Sequence, residues 1–383
     1  MRMSIQRPFQ RALRYGFMAG AFCVATAVNA QILSGEGDFR TETLTSGFQF
    51  PWSMAFLPDG RMLVTERIGQ LRIVNADGIL VDQTVTGLPN DIFVSGQAGL
   101  KDVALSPDFE SSHRLFLSYA CGTVEANSLC LSSATFSQNV LSDVTEIFRT
   151  NPAKTGAAHY GGRIAFLPDE TLVLTTGDGF DYREQAQNPA SHLGKLVRLN
   201  QDGSVPDDNP FLNDVDTAPE VYSMGHRNPQ GIVYDSVRQR LISHEHGPRG
   251  GDELNLITAG NNYGWPITSH GIDYTGAQIT PFRSRPGMTM PIMTWTPSIA
   301  PSGMTLYDGD LFPQWRGDLF ITALAGKALH RVRLVNDQVR TEEKLLTELD
   351  ERLRDVRTGP DGAIYILTDN AVGRLLRLTP SQD

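Results

Sequence analysis

One short pattern recurs six times along this chain of 383 residues: an apolar run, a tight turn that carries an aspartate, and a second apolar run. The turn aspartates are Asp59, Asp108, Asp169, Asp235, Asp308 and Asp361. Successive aspartates lie 49, 61, 66, 73 and 53 residues apart. Because runs of β-branched and aromatic residues around Pro, Asp and Gly are typical of hairpins, each copy predicts two antiparallel strands joined by a turn.

Six hairpin units at this spacing occupy nearly the whole chain and show no helical periodicity. Repeats of this kind are typical of β-propellers, in which each blade is a four-stranded antiparallel sheet. The sequence therefore predicts an all-β, six-bladed β-propeller that forms a single catalytic domain over residues 31–383. A two-sheet sandwich with coincidental turns is the alternative, but it does not account for the regular spacing.

The first 30 residues have the features of an export signal. Arginines at positions 2, 7, 11 and 14 precede an apolar run over residues 17–28, and Val28-Asn29-Ala30 resembles a signal-peptide cleavage site. The apolar run is too short for a transmembrane helix, and no later segment could span a membrane. We therefore expect a periplasmic or secreted protein whose mature chain begins at about Gln31.

The net charge of the chain limits which partners it can bind. The full chain has a net charge of −10, and removal of the four arginines of the signal peptide leaves −14. A chain this acidic, without a basic stripe, is a poor partner for nucleic acid.

The mature chain keeps Cys121 and Cys130, which we expect to form a disulfide in an exported protein, with two buried free thiols as the alternative.

Polar residues collect where the blades of a propeller would meet. The first strand of each blade lines the central channel, so the segments before these strands and the loops after the second strands share one face. These positions hold Gln97, His159, Arg227, Asn228, Ser298, Arg352 and Arg354, followed by His246-Gly247-Pro248 and Ala325-Gly326-Lys327. Guanidinium groups match carboxylates, so three arginines here indicate an anionic ligand. A histidine beside them is a suitable proton acceptor near neutral pH.

Each of these residues also has a simpler structural interpretation. His159 could cap a strand by hydrogen bonding, and an arginine at the start of a strand is commonly solvated or ion-paired. His244 and His246 share one face of a strand, as zinc ligands can, but no third ligand is near, so we expect them to be structural. Asp252-Glu253 is either a solvated turn or a cation site, and the residues alone do not decide.

Seven segments in register resemble one known family, the soluble pyrroloquinoline quinone (PQQ) sugar dehydrogenases. The segments are residues 96–100, 159–163, 225–231, 247–248, 252–255, 262–266 and 352–356. They include Gly225-His226-Arg227-Asn228-Pro229-Gln230-Gly231 and His159-Tyr160-Gly161-Gly162-Arg163. The similarity runs from about Trp52 to Leu378 and is greatest to the periplasmic aldose sugar dehydrogenase branch.

The resemblance implies that PQQ lies flat over the mouth of the channel. His159 would be the general base that takes the proton from the anomeric hydroxyl as hydride passes to C5 of the quinone. Arg227 would stabilise negative charge on the quinone oxygen. Three further residues, Gln97, Asn228 and Ser298, would position the ring.

Cofactor binding would extend around the same mouth. Arg352 and Arg354 would clamp the cofactor carboxylates, and Tyr274 would pack near the cofactor. The resemblance also implies a calcium ion, held by the main-chain carbonyls of Gly247 and Pro248 together with the cofactor. Oxygen ligands suit this hard cation, which would act as a Lewis acid on the quinone.

A second, structural calcium would involve Glu253 and the carbonyl of Tyr263.

The chain departs from the family at three other positions. Ala158 precedes the base where the glucose-oxidising relative has an aspartate, so another group must orient the imidazole. His246 replaces a glutamine, and Ala325 stands where a cofactor-binding lysine is expected, with Lys327 as the candidate substitute.

These features together predict a PQQ-dependent oxidoreductase that oxidises the C1 hydroxyl of aldoses to lactones and passes electrons to an acceptor other than NAD(P) or oxygen. A calcium-dependent lactonase shares the six-bladed fold, but it would place Asp, Glu and Asn where this chain has Arg, Gln and His. A non-enzymatic propeller that binds sugar or protein is a third possibility. The sequence is compatible with a monomer or a homodimer.

Overall fold

A computed structural model describes residues 30–34 and 37–381 of the chain. Almost all of the predicted signal peptide therefore lies outside the described residues. Within these two ranges the protein is built from β-strands, with one short α-helix at Phe109–Ser112 and 3₁₀ turns at Arg183–Gln187, Pro313–Trp315 and Thr347–Leu349. No helix in the described ranges is long and apolar enough to cross a membrane.

The strands form six sheets that follow one another along the chain. The first two strands are β1 (Ala30–Ser34) and β2 (Gly37–Phe48). Blade I contains β3 (Pro51–Phe56), β4 (Met62–Glu66) and β5 (Gln70–Val74). Blade II contains β6 (Leu100–Leu105), β7 (Arg114–Gly122), β8 (Asn127–Ser137) and β9 (Val140–Arg149). Blade III contains β10 (Gly161–Phe166), β11 (Leu172–Thr176), β12 (Lys195–Leu199) and β13 (Val221–Met224).

The second half of the chain repeats this arrangement. Blade IV contains β14 (Pro229–Asp235), β15 (Arg240–Glu245), β16 (Asp252–Ile257) and β17 (Met293–Trp295). Blade V contains β18 (Pro301–Leu306), β19 (Leu319–Ala323), β20 (Leu329–Val335) and β21 (Gln338–Leu345). Blade VI contains β22 (Leu353–Thr358), β23 (Ile364–Thr368) and β24 (Gly373–Pro380), and β2 pairs with β24.

The pairing of β2 with β24 completes blade VI and closes the ring. It runs from Phe39 opposite Pro380 to Phe48 opposite Gly373, and β1 then pairs with β2 at the outer edge. In blade I, residues 80–85 lie beside β5, because the amides of Val81 and Val85 donate to carbonyls of that strand. The prediction of a six-bladed, four-stranded propeller is confirmed.

Five of the six turn aspartates lie between the first and second strands of a blade, as the repeated pattern predicts, and the sixth, Asp235, is the last residue of the first strand β14. The first strands β3, β6, β10, β14, β18 and β22 contact one another in sequence, and β22 contacts β3. They therefore form the wall of the central channel. In every blade the register between the first and second strands shifts near the start of the first strand. Such bulges redirect side chains, and here they do so at one face of the ring.

Apolar side chains fill the spaces between neighbouring blades. At the contact of blades V and VI, the rings of Phe312 and Trp315 stack with centroids 4.1 Å apart, and Phe39 of β2 meets Trp315 edge-on at 5.9 Å. Burial of one such side chain stabilises the fold by roughly 1.5–3 kcal/mol. Cys121 and Cys130 form the predicted disulfide between β7 and β8.

Candidate active site

A cavity of about 520 Å³ lies at the face where the first strands begin. All six blades or the segments leading into them contribute to its wall. The polar lining residues are Arg67, Gln97, Lys101, Tyr160, Asn228, Gln230, His246, Arg352, Arg354, Asp369 and Asn370. The predicted convergence of Gln97, Asn228, Arg352 and Arg354 on one site therefore agrees with the structure. We call this space the mouth cavity.

A smaller cleft of about 270 Å³ contains three further residues predicted from the sequence, Arg227, Pro248 and Tyr274. Arg227 precedes Asn228 of the mouth cavity, so the two spaces meet at this segment of chain. The guanidinium of Arg227 lies 5.2 Å from the ring centre of Trp265 and 5.9 Å from that of Tyr274. The cleft thus combines a buried cation with two aromatic faces.

His159 lies in the segment just before β10 and is held from two sides. Its Nδ1 is 2.7 Å from Oδ1 of Asp178, and its backbone N–H donates to Oε1 of Gln97 at 2.9 Å. If Nδ1 carries the proton that Asp178 accepts, Nε2 keeps a lone pair, and Nε2 has no hydrogen-bond partner in the part of the chain that is described. Burial lowers the pKa of His159; the bond to Asp178 opposes this shift, and the charge of Arg227 adds to it. The imidazole is therefore neutral near pH 7, as a proton acceptor must be.

Ala158 has no side-chain group that could orient the imidazole of His159. Asp178, in the loop after β11, orients it instead. Its carboxylate also accepts from Nε1 of Trp265 at 2.8 Å and from the backbone N–H of Phe180 at 2.8 Å. The sequence pattern does not single out Asp178. The available signal is its position, because loops after the second strands return to the functional face.

Arg227 is fixed mainly through its backbone and one end of its guanidinium. Its N–H donates to Glu245, while Nη1 donates to the carbonyls of Gly247 at 2.6 Å and His246 at 3.2 Å. Its Nε is buried without a hydrogen-bond partner among the described residues. An unsatisfied buried donor is costly, so this atom is suited to receive a ligand acceptor.

Two of the predicted ring-positioning residues have partners that fix them in place. Oδ1 of Asn228 accepts from the N–H of Gly161 at 3.2 Å and from Nε2 of Gln230 at 3.0 Å. Gln97 holds the backbone of His159, as described above. Gln97 therefore connects the wall of the mouth cavity to the candidate base, and Asn228 connects it to Gly161 at the start of β10.

Ser298 is placed differently from the expectation that it positions the ring. Its hydroxyl donates to both carboxylate oxygens of Asp252, at 2.9 and 2.7 Å, and Ser298 does not line the mouth cavity. Asp252 is fully buried and also accepts from the N–H groups of Gly247, Ile299 and Ala300. The interpretation of Asp252 as part of a solvated turn is therefore wrong, because this carboxylate anchors the loops of blades IV and V.

Arg352 and Arg354 share a single carboxylate at the mouth. Oδ2 of Asp369 accepts from Nε and Nη2 of Arg352 at 2.9 and 2.8 Å, and Oδ1 lies 3.1 Å from Nη2 of Arg354. Burial alone would raise the pKa of Asp369, but the two guanidinium charges more than offset this and lower it. Two arginines on one carboxylate leave positive charge available to an anion.

Lys101 and Arg67 add to this positive charge, although the sequence pattern does not indicate either. Lys101 is 4% exposed, and its Nζ donates to the carbonyl of Gln97. Arg67 lies over the ring of Phe50 and donates to the carbonyl of Gly96. The lining of the mouth cavity thus includes three arginines, one lysine and one carboxylate, Asp369.

Ala325 and Lys327 do not line the mouth cavity, whose wall on blade V comes from Leu324. Nζ of Lys327 donates to Oδ1 of Asp350 at 2.8 Å, and its side chain is 43% exposed. The structure therefore does not support Lys327 as the replacement for the family lysine. His246, in contrast, lines the cavity while its Nε2 lies 2.8 Å from the carbonyl of Pro301.

One of the residues predicted to bind calcium, Glu253, lies close to a second acid of blade IV, Glu245. Burial, followed by the charge of Glu245, raises the pKa of Glu253 well above its ordinary value. Nδ2 of Asn255 lies 3.4 Å from Glu245 and 3.3 Å from Glu253, and bridges the two carboxylates. The carbonyls of Pro248 and Tyr263 accept no hydrogen bond from any described residue. Carboxylates and free carbonyl oxygens are the kinds of donor that a hard cation takes, so the chemistry of these donors fits calcium.

The sequence and the fold can be compared with known proteins. The chain is 38% identical to the aldose sugar dehydrogenase YliI of Escherichia coli, over 95% of this chain and 98% of that protein. The structure of the soluble aldose sugar dehydrogenase of Escherichia coli in the apo-form superimposes with a TM-score of 0.85 and 39% identity, covering 90% of this chain and all of that one.

A PQQ-bound aldose sugar dehydrogenase from Streptomyces coelicolor gives a TM-score of 0.72 at 28% identity, covering 89% of this chain and 98% of that chain. These similarities define an enzyme of the sugar dehydrogenase class. The chain belongs to the glucose/sorbosone dehydrogenase family, whose model it matches over residues 48–377. The resemblance seen in the seven sequence segments is thereby confirmed at the level of the family.

Proposed function

We propose that this enzyme is a PQQ-dependent dehydrogenase that oxidises the C1 hydroxyl of aldose sugars to lactones, with calcium as a second cofactor. The observation that carries the proposal is the pairing of neutral His159 with Asp178 beside a mouth cavity of net positive charge. The PQQ-bound relative supports the choice of cofactor. We also propose an electron acceptor other than NAD(P) or oxygen.

The residues of the mouth cavity fit a flat, triply acidic ligand. Arg352 and Arg354 would bind carboxylates, since Asp369 neutralises only part of their charge. The buried Nε of Arg227 would donate to an acceptor of the ligand, and Asn228 would orient the ring plane. When bound, PQQ supplies a quinone that accepts hydride, and calcium supplies a Lewis acid that polarises it.

The chain itself supplies the proton chemistry. Nε2 of His159 would accept the proton of the C1 hydroxyl, while Asp178 keeps the other nitrogen protonated and stabilises the positive imidazole that results. Exposed Tyr274 and the aromatic ring of Trp265 would form the side of the cleft near the sugar.

Calcium would bind the carbonyls of Gly247 and Pro248, and a second ion would bind Glu253 and the carbonyl of Tyr263. The Gly247 carbonyl now accepts from Arg227, so the metal and the guanidinium compete for one oxygen. Residues 31–383 would form one catalytic domain, and the mature protein would act in the periplasm or outside the cell, as a monomer or homodimer.

Reconstitution of the cofactor-free protein tests the proposal. PQQ and calcium are added together with an artificial electron acceptor and a panel of aldoses, and lactone formation is measured. Reduction of the acceptor that requires both additions and a sugar supports the dehydrogenase. Lactone hydrolysis with calcium alone would instead favour the lactonase, and sugar binding without turnover would favour a binding protein.

A further inference from the structure

We propose that Lys101 anchors the cofactor, its buried ammonium binding a carboxylate of the anionic ligand in the mouth cavity. This inference rests on the proposed function and assigns to Lys101 the task of the family lysine that is absent at Ala325. Lys101 is the second residue of β6, within the register shift between Leu100 and Val103. The bulge at this point brings its side chain to the cavity wall.

The surroundings of the ammonium are aromatic and apolar on one side. Nζ lies 5.4 Å from the ring centre of Trp52 and 5.5 Å from that of Tyr160. Its hydrogen-bond acceptor is the carbonyl of Gln97, a neutral group. An ammonium has three donors, so at least one remains for a ligand that enters the cavity.

No carboxylate forms an ion pair with Lys101 within the described residues. The neighbouring Asp102 has other partners. It accepts hydrogen bonds from the hydroxyl of Ser53 and the backbone N–H of Ile164, and it forms an ion pair with Arg163. Burial lowers the pKa of Lys101 well below its ordinary value, and the charges of Arg354 and Arg67 add to this effect. A buried amine among like charges is costly, and an anion would relieve that cost.

The charge distribution also explains why Lys327 is not the anchor. The side chain of Lys327 is 43% exposed, and Asp350 already pairs with it. Lys101 is enclosed, has no acid partner among the described residues, and faces the same cavity as Arg352 and Arg354. The two lysines therefore form a matched pair for experiment, one that lines the mouth cavity and one that does not.

The test measures binding of PQQ to cofactor-free protein in the absence of substrate, by quenching of tryptophan fluorescence and by calorimetry. Lys101→Met should weaken PQQ affinity about 10- to 100-fold, the effect expected for one charge-assisted hydrogen bond. The thermal midpoint of the cofactor-free variant should equal or exceed that of the wild type, because an amine buried among like charges is removed. Lys327→Met should leave both measurements unchanged. Lys101→Gln is a second variant, with a polar group of smaller size.

PQQ affinity of both Lys101 variants within twofold of the wild type would overturn the inference. So would a lowered thermal midpoint in the cofactor-free variants, which would mark Lys101 as a structural residue. If the wild type does not take up PQQ, the proposed function fails, and pyridine-2,6-dicarboxylate becomes the probe. Thermal protection of the wild type but not of Lys101→Met by this dianion would retain an anion-binding lysine. Equal protection of both proteins would overturn it.

Discussion

Asp178 accepts a hydrogen bond from Nδ1 of His159 at 2.7 Å, and the same carboxylate accepts from the indole N–H of Trp265 at 2.8 Å. The two bonds join the loop after β11 to the segment before β10 and to the long loop between β16 and β17. An imidazole held in this way has one fixed tautomer and one free nitrogen. The reactivity of the site therefore depends on a group that lies 19 residues from the base in sequence.

Substitution of the base is the first prediction. His159→Ala should bind PQQ with nearly the affinity of the wild type but lose about 100-fold or more in turnover, because general-base catalysis typically contributes that much. Steady-state turnover and PQQ binding are measured on the same preparation. His113→Ala, an exposed histidine just before β7, is the control. Full turnover in His159→Ala would remove this residue from the mechanism.

The second prediction concerns Asp178. Burial holds the pKa of His159 below its ordinary value, so the acid limb of the wild-type profile of kcat against pH should lie below about pH 6.5. Asp178 raises this pKa, so Asp178→Asn should shift the limb to still lower pH. Turnover should fall by about 10-fold or more as the tautomer is lost.

Trp265→Phe serves as the comparison for Asp178→Asn, because it removes only one donor to the carboxylate and keeps an aromatic ring. We expect a smaller loss of turnover and little movement of the acid limb. An acid limb that moves to higher pH in Asp178→Asn would contradict the assigned role of this carboxylate.

The third prediction concerns the paired arginines. The double variant Arg352→Ala, Arg354→Ala should raise the PQQ concentration for half-reconstitution by about 10-fold or more, since each guanidinium offers a charge-assisted hydrogen bond. The dependence of PQQ binding on salt should also weaken. Arg316→Ala, which removes an exposed arginine paired with Asp310, is the control. An unchanged titration would place the carboxylates of the cofactor elsewhere.

Competition between Arg227 and calcium gives the fourth prediction. Nη1 of Arg227 lies 2.6 Å from the carbonyl of Gly247, which we assign to calcium. Arg227→Ala should therefore bind calcium about 10-fold more tightly in the absence of PQQ, although turnover of the reconstituted enzyme falls. Calorimetry on the cofactor-free protein measures the affinity. Arg249→Ala, an exposed arginine of the same loop, should leave it unchanged, and weaker binding by Arg227→Ala would refute the competition.

The fifth prediction concerns stability. His244 is fully buried, and burial lowers its pKa to about 3. The unfolded chain then binds a proton near pH 6.5 that the folded protein does not, so this residue costs stability as the pH falls. Between pH 7 and pH 5 the wild type should lose about 2 kcal/mol more of its free energy of unfolding than His244→Gln loses. Denaturant unfolding at both pH values measures this, and equal losses would show that His244 is protonated in the fold.

The parts of the fold that follow from local chemistry could be predicted from the sequence. The six turns form where Pro, Asp and Gly interrupt apolar runs, and they lie between the expected strands. The closing strand β2 could not be identified in this way, because its partner β24 lies at the other end of the chain and the pairing has no local signal. The same holds for the bulges at the starts of the first strands.

The residues of the candidate site also divide into those that the local sequence predicts and those that it does not. Residues within the seven motif segments, such as Arg354 and Asn228, lie at the mouth as expected. The position of Asp178 depends on the path of a loop, and the position of Lys101 depends on a bulge. No residue pattern specifies either feature. Ser298 and Lys327 occupy sequence positions at which site residues are expected. Their side chains instead bond to Asp252 and Asp350, and such pairings depend on side-chain geometry.

The closing strand has a consequence for how the enzyme matures. Blade VI carries Arg352, Arg354 and Asp369, yet its outer strand comes from the beginning of the fold, and Arg40 bonds to Thr379 across a separation of 339 residues. The ribosome completes these two strands at opposite ends of synthesis. Blade VI, which positions Arg352 and Arg354, can therefore be completed only after both strands have been synthesised, so a ligand that needs this blade can bind only late in biogenesis.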